Sequence, residues 1–327
     1  MQNTNNPKVS IIIPIYNVEK YIKKCICSLF EQTLDDIEYI FVNDCTPDNS
    51  MKILEQVIKK YPERSKQVKI VVHKNNKGLA TARNSGLNLA TGEYVIHCDS
   101  DDWIDKDMYE KMYQKAIEED ADIVGCDFYD EYTDHNIIRK QNFPEDNKQC
   151  IMKFLEGKLY CSVWNKLIKR SIYSQNNIHF PNGVNMWEDV ITIIYLCFHS
   201  QKITYIPQPF YHYIHYNSES YTYKPSKQSL NNLITAIDLI ENFFITQQVY
   251  KDFQKGLFFM KLTVKLNLLL GSRGKQQKEW NKLYPQANKY ILFYSSMSWY
   301  WRIALLTAAY KFIFLFNLLA YIGNRIK

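Results

Sequence analysis

At 327 residues, 46% hydrophobic and 23% charged, the chain is neither disordered nor fibrous, and it is long enough for one good core and a second region. Its net charge of +6 is spread along the sequence; it suits an anionic nucleotide or a membrane surface, and with no nucleic-acid motif beside it no nucleic-acid partner is expected. The eight cysteines (Cys25, Cys27, Cys45, Cys98, Cys126, Cys150, Cys161 and Cys197) lie mostly in apolar patterns without zinc-like pairing, which predicts buried, reduced thiols. Residues 1–6 are polar and the apolar run 9–15 is too short for a secretory signal, so a cytoplasmic active site is expected.

In chain order, residues 8–15 read as a continuous apolar strand, and 19–32 as a helix carrying Ile22, Cys25, Ile26, Leu29 and Phe30 at helical spacing. A strand at 37–42 precedes a helix at 50–61 that Pro62 is expected to stop. A strand at 68–73, a helix at 79–90 and a strand at 93–98 follow. This βαβαβαβ order predicts an α/β domain with a mainly parallel, Rossmann-like sheet covered by helices on both faces. Further on, a helix begins near Met108, a strand covers 123–128, and an apolar helix runs from Glu188 to Phe198.

The strand at 93–98 runs straight into Asp99-Ser100-Asp101-Asp102. A D-x-D triplet alone is weak, and two more occur here. Asp105 and Asp107 stand where the helix near Met108 needs N-terminal carboxylates, and Asp120 and Asp122 fall in a polar turn. Only the first cluster closes a strand of the expected parallel sheet, and ligands in such sheets bind outside the carboxyl ends of the strands. Hard cations take oxygen ligands and commonly combine one or two carboxylates with substrate phosphates. Mn²⁺ or Mg²⁺ bridging to a nucleotide diphosphate is therefore expected, with a turn or helix cap as the plainer alternative.

Each earlier strand end also carries polar residues. After the first, Pro14 stops the strand and leaves Tyr16, beside Asn17, able to lie against a base. After the second comes Asp44, placed to accept the imide hydrogen of a uracil ring, while Asp48 and Ser50 read as helix caps. After the third, Asn76-Lys77-Gly78 offers a tight turn, and Arg83 a planar fork for nucleotide or carboxylate, or a salt bridge that holds the aspartates. Neither a G-x-G-x-x-G fingerprint nor a P-loop lysine motif is present, which argues against dehydrogenases and kinases.

The succession Val9-Ser-Ile-Ile-Ile-Pro-Ile-Tyr-Asn17, Val42-Asn-Asp44, Asn76-Lys-Gly78 with Ala82-Arg-Asn84, and Asp99-Ser-Asp-Asp102 resembles the family 2 glycosyltransferases with a GT-A fold. The likeness covers roughly residues 7–215, with the motifs in order. It implies inverting transfer from a nucleotide sugar, with a UDP-sugar expected and dTDP left open. It also implies that Asp44 contacts uracil, that Tyr16 and Arg83 hold the nucleoside, that Asp99 faces the ribose or sugar, and that Asp101 is the principal metal ligand with Asp99 beside it. By the same resemblance Pro14, Asn17, Asn76, Gly78 and Ser100 are expected in the same nucleotide-sugar pocket.

An inverting enzyme of this kind needs one further carboxylate. By resemblance it is Asp189 in Trp187-Glu188-Asp189-Val190, with Glu188 beside it to raise its pKa, although Glu-Asp is also an ordinary helix start. Ser162-Val-Trp164-Asn-Lys166-Leu167 matches the family as well, which suggests that Lys166 meets acceptor or diphosphate. The match then decays. Tyr211-His-Tyr-Ile-His215 through Ser220-Tyr-Thr222 has Ile214 where the family places an arginine, so His212 or His215 is left to substitute, against packing roles for both. Two rivals stay open. A nucleotidyltransferase is disfavoured because no glycine- and lysine-rich loop follows the first strand, and a non-catalytic membrane-bound scaffold because Asp101 and Asp189 are both retained.

From about Ser226 the pattern becomes helical, with apolar helices at 230–245 and 253–270 and a break at Gly271-Ser-Arg-Gly274. The last segment, 299–326, sets Trp299, Tyr300 and Trp301 beside Arg302, then runs apolar through Lys311 and Asn317. A central lysine costs about 2.5–3.5 kcal/mol in a spanning helix. On a continuous helix Arg302, Thr307, Lys311, Asn317 and Asn324 share roughly one half, which predicts a helix lying in the membrane interface; a core or oligomer helix and a true span are the alternatives. The expected organisation is a catalytic domain at 1–225, a helical region at 226–298 and a membrane-directed helix at 299–327. Together with the resemblance, that tail implies surface-polysaccharide assembly on a glycan or lipid-linked glycan at the inner face of a bacterial membrane.

Overall fold

A computed structural model describes residues 6–217, 227–272 and 277–323. They form two compact units: one reaches Cys150 and resumes at Cys161, and the other takes residues 151–160 and the described residues from Lys227 onward.

The first unit opens with β1 (Val9–Ile15), α1 (Ile22–Phe30), β2 (Ile37–Asn43), α2 (Ser50–Ile58), α3 (Pro62–Ser65), β3 (Val68–Val72), α4 (Leu79–Leu89) and β4 (Tyr94–His97). β1 and β2 are apolar and buried along almost their whole length, as strands covered on both faces must be. β1 pairs in parallel with β2 and β4, and β2 with β3. Four carboxyl ends therefore share one edge of the sheet. Pro62 begins α3 rather than ending α2, because a residue at the first helical position needs no N–H partner.

The chain continues through β5 (Trp103–Ile104), α5 (Met108–Glu118), β6 (Ile123–Glu131), β7 (Asn136–Arg139), α6 (Asn147–Leu155), β8 (Lys166–Lys169), α7 (Arg170–Gln175), α8 (Glu188–His199) and β9 (Ile203–Ile214). β8 inserts antiparallel between β4 and β6, giving the order β3-β2-β1-β4-β8-β6-β9-β5 with β7 on β6. The expected parallel pattern thus holds through β4, and β8 reverses it. All eight cysteines are free; Cys45 is exposed, unlike the buried majority.

A buried carboxylate fastens the amino end of the sheet. Glu38 on β2 accepts hydrogen bonds from Ser10 Oγ of β1 at 2.5 Å and from the backbone of Thr91 and Gly92, just before β4, at 2.5 and 3.2 Å. Lys69 of β3 lies 2.5 Å away. Burial alone would raise the Glu38 pKa, but the bonds from Lys69, Ser10 and Thr91 outweigh it and hold the group below the ordinary glutamate value.

The second unit is helical: α9 (Lys227–Thr246), α10 (Tyr250–Ser272), α11 (Gln277–Lys282), a 3₁₀ segment (Pro285–Phe293), α12 (Trp299–Ala309) and α13 (Ile313–Gly323). Its core gathers Leu262, Leu269, Trp280, Ala304, Leu305, Ala308 and Phe316. The single helix predicted for 299–326 is instead two helices. Lys311 takes a left-handed φ of 65°. The Lys311 N–H reaches the Ala308 carbonyl at 3.0 Å and the Phe312 N–H the Thr307 carbonyl at 2.7 Å, the paired bonds that end a helix. The polar half drawn on one continuous helix therefore does not exist. Of the predicted features, Ser220 to Thr222, Arg273, Gly274 and Asn324 lie outside the described residues. Among the described residues no helix is long and apolar enough to cross a membrane.

The depressed Glu38 pKa fixes a sign. Its stabilisation is complete above the ordinary glutamate value of 4.5 and is lost as pH falls through the lower folded value. Glu38→Gln should cost about 2 kcal/mol at neutral pH, with the gap to wild type narrowing toward pH 3 in urea titrations. A gap constant with pH would mean that the carboxylate charge contributes nothing.

Candidate active site

Polar side chains collect where the four parallel strands end. After β1, Tyr16 is 48% exposed, and Asn17 turns the chain at a left-handed φ of 56° with its N–H on Thr46 Oγ1 at 2.8 Å. After β2, Asp44 is buried, with Cys45 beside it at φ 59°. The Asp44 carboxylate accepts the Lys77 and Gly78 N–H groups, each at 2.8 Å, and pairs with His73 Nδ1 at 2.6 Å. His73 in turn meets Ser85 Oγ at 2.9 Å. Gly78 has φ 87°, and a side chain there would strike Asn185, so this turn requires glycine. Asn76 accepts the Gly78 N–H at 3.1 Å, forming the turn itself. Asp48 accepts the Ser50 N–H at 3.1 Å and Ser50 Oγ receives the Val18 N–H at 3.3 Å, in keeping with capping and packing roles.

At the end of β4 the four residues of the acidic cluster part company. Asp102 is buried and engaged: Tyr211 Oη donates to one oxygen at 2.7 Å and the Ile214 N–H to the other at 2.8 Å. Ser100 is also buried, its hydroxyl donating to the Pro14 carbonyl at 2.6 Å, which ties β1 to this loop. Asp99 and Asp101 remain partly accessible. Asp101 receives Asn217 Nδ2 at 2.8 Å, and burial together with the Asp99 charge pushes its pKa up to about 6. Among the described residues no three His, Cys, Asp or Glu side chains converge as an all-protein cage. A hard cation resting on substrate phosphates needs only one or two carboxylates. Asp101 and Asp99, crowded anions at a strand end, have the oxygen donors for it.

Arg83 links this cluster to the second carboxylate pair. Its guanidinium lies 2.9 Å from Asp99 Oδ1 through one nitrogen and 2.5 Å from Glu188 Oε1 through the other. Glu188 and Asp189 open α8, directly after Trp187, which holds a left-handed φ of 66°. A bulky residue in that region costs of order 1–3 kcal/mol and is usually retained for what it positions. Burial, then the Asp189 charge, pushes the Glu188 pKa up to about 8 while Arg83 pulls it back. Burial likewise raises the pKa of Asp189, whose Oδ1 accepts the Val190 N–H at 2.8 Å. Arg83 itself stays protonated, since Asp99 and Glu188 outweigh its desolvation.

Three expected contacts differ. Lys166, predicted to meet acceptor or diphosphate, is fully buried, with its ammonium on the Ser162 carbonyl at 2.6 Å and Asn165 Oδ1 at 2.7 Å. His215 is held by Asp130 at 2.8 Å and stacked on Tyr132. His212 lies between Glu131 and Asp105, stacked between Trp103 and Tyr129. Both histidines therefore have partners within the protein. Sequence reasoning missed His73, Tyr211 and Asn217 as supports of the three key aspartates. Two of them had a signal, His73 as the polar residue closing the third strand and Tyr211 as the first residue of the late family-like segment.

The model for "Glycosyl transferase family 2" matches residues 10–176. The chain belongs to that family. EpsH and EpsJ of Bacillus subtilis, both named as glycosyltransferases, are each 36% identical, over 65% and 56% of this chain and 62% and 54% of their own lengths. The chain thus spans less than two thirds of these two relatives. The cholesterol galactosyltransferase of Borreliella burgdorferi is 31% identical over 75% of this chain and 72% of its own. Staphylococcus aureus TarS 1–349, solved in complex with UDP-GlcNAc, superposes with a TM-score of 0.67 at 19% identity, covering 98% of this chain and 92% of that one. The fold is the GT-A arrangement of a nucleotide-sugar enzyme family.

Removing Arg83 leaves buried carboxylates without a countercharge. Arg83→Met should cost about 3–5 kcal/mol of folding stability, and adding Glu188→Gln should recover part of it, as read from urea denaturation. A double variant as unstable as the sum of the singles would show that the pair is not coupled.

Proposed function

We propose that the protein transfers a sugar from a UDP-sugar to a hydroxyl of a glycan or lipid-linked glycan, inverting the anomeric carbon, at the cytoplasmic face of a membrane. The observation that carries this reading is the Arg83 bridge, which brings a strand-end aspartate pair and a Glu-Asp pair within one side chain's reach. One pair suits the diphosphate and its cation, the other the acceptor proton. Two relatives bear names that specify acceptors, poly(ribitol-phosphate) for an enzyme of Bacillus spizizenii and cholesterol for that of Borreliella burgdorferi.

In the proposed reaction, Asp44 accepts the uracil imide hydrogen, Tyr16 lies against the base, and the Gly78 turn lets the backbone approach the nucleotide. Arg83 keeps Asp99 aimed at the ribose and sugar. Mn²⁺ or Mg²⁺, held by Asp101 with Asp99, would supply positive charge to offset that developing on the leaving diphosphate. Asp189 takes the acceptor proton as the acceptor oxygen bonds to the anomeric carbon and the bond to the diphosphate breaks, releasing UDP. Its raised pKa makes it the stronger base, and Glu188, paired with Arg83, steadies the helix end that presents it.

Asp101→Asn should abolish Mn²⁺-dependent UDP binding with an unchanged melting temperature; undiminished binding removes Asp101 from the site. Asp189→Asn should retain donor affinity and lose roughly 10²–10⁴-fold in turnover, and an α-linked donor should yield a β-linked product by proton NMR. Retained configuration contradicts the mechanism. For the support of Asp44, His73→Leu should raise the donor KM about tenfold, in line with a lost bond to a charged group, leaving kcat nearly unchanged. His73→Asn, which keeps a donor near the Nδ1 position, should restore most of it. A fall in kcat with an unaltered KM would separate His73 from donor binding.

A further inference from the structure

We infer that the α12–α13 hairpin is a bilayer-contact surface whose partner is the anionic headgroup region of a membrane. The inference deepens the membrane setting proposed above, on which it rests, and is separable from the transfer chemistry. One side of the hairpin is core: Ala304, Leu305, Ala308 and Phe316 are fully buried. The opposite side should be polar in a helix facing only water. Instead Trp299, Ile303 and Tyr310 form one exposed stripe along α12, and Phe314, Leu318 and Tyr321 one along α13. Phe314 is 84% exposed, Tyr310 73% and Trp299 66%, with Phe312 exposed in the turn between the helices. Aromatic side chains carry about 150–250 Å² each, so these leave on the order of 600 Å² of aromatic surface in water, the range in which a patch marks an interaction site.

Charge selects the partner. From Pro285 to Lys327 the sequence contains no Asp or Glu, while Lys289, Arg302 and Lys311 stand on the described part of the segment. Tyrosine and tryptophan at the margin of an apolar surface, with cations and no carboxylates, complement anionic lipid headgroups. A second copy docked on the same face would bring like charges together with nothing acidic to oppose them. Spanning is excluded for these helices by length: 11 residues in each reach about 16 Å, half of a hydrocarbon core of about 30 Å. The hairpin therefore lies in the interface, with the exposed aromatic rings of Tyr310, Phe312 and Phe314 inserted and Lys311 at the headgroup level.

Removing the whole segment is not a clean test, because Ala304, Leu305, Ala308 and Phe316 would leave the core with it. Full-length protein should instead be sedimented with vesicles of phosphatidylglycerol and phosphatidylcholine, and with phosphatidylcholine alone. Binding should be at least tenfold stronger to the anionic vesicles and weaken with salt. Tyr310→Ser with Phe314→Ser should lower it at least tenfold at an unchanged melting temperature, and Lys311→Glu should lower binding to the anionic vesicles selectively. The inference is overturned if the serine variant binds as wild type does, or if wild type ignores anionic vesicles. It is equally overturned if wild type forms a lipid-independent dimer that the serine variant dissociates. UDP binding measured on the same variants in lipid-free buffer separates the two readings. Loss of vesicle binding with UDP binding intact leaves the transferase proposal standing, and the reverse outcome leaves the hairpin proposal standing.

Discussion

The candidate site depends on one arginine placed between two carboxylates that the sequence holds more than eighty residues apart. Arg83 is almost fully buried, and it contacts Asp99 from the end of β4 and Glu188 from the start of α8. An unpaired buried cation would be costly, and so would either carboxylate alone. Together the one cation and the two carboxylates partly offset one another and fix the loop after β4 relative to the loop before α8. Asp101 and Asp189, beside this bridge, stay partly accessible. A parallel sheet explains why the arginine is there at all: α4 begins beside the same carboxyl edge at which β4 ends.

The same edge shows how neighbours divide tasks. Within Asp99 to Asp102 four adjacent polar residues take different roles in the turn between β4 and β5, which the Asp102 N–H closes on the Asp99 carbonyl at 3.1 Å. Asp102 and Ser100 turn inward, to Tyr211 and to the Pro14 carbonyl, and make the loop rigid. Asp99 and Asp101 stay accessible. Asp44 is held in a comparable way, by two backbone N–H groups of the Gly78 turn and by His73. Left-handed backbone at Asn17, Cys45 and Trp187 falls at the same loops, which is where positioning is worth local strain.

The second unit follows a different logic. α12 and α13 are apolar nearly all round, and a helix of that kind has to find cover on both sides. The core of the unit covers one side. The other, aromatic and flanked by cations, stays exposed, so the segment that reads as one membrane-directed helix is a short hairpin with one dry side already filled.

Local pattern was sufficient for the first four strands, because the buried β1, β2 and β4 and the half-exposed edge strand β3 are short, mostly apolar runs and the helices between them repeat every three to four residues. It was sufficient too for the order of the strand-end motifs, which places Asp44 and Asp101 after β2 and β4. What it could not supply was which polar atoms find partners inside the protein. Lys166 matches a motif yet is buried, because β8 enters the sheet antiparallel between β4 and β6, a pairing no local signal encodes. Ser100 and Asp102 look like ligands until Pro14 and Tyr211 arrive from distant strands. The break at Lys311 escaped notice because the paired bonds that end α12 hold a lysine in a conformation usually given to glycine. Hydrophobic period and strand-end chemistry are properties of neighbouring residues, so the sequence determined the fold class and the list of candidate groups. Hydrogen-bond satisfaction and burial are properties of residues far apart in the chain, so only the tertiary structure decided which of those groups are engaged inside the protein and which stay accessible.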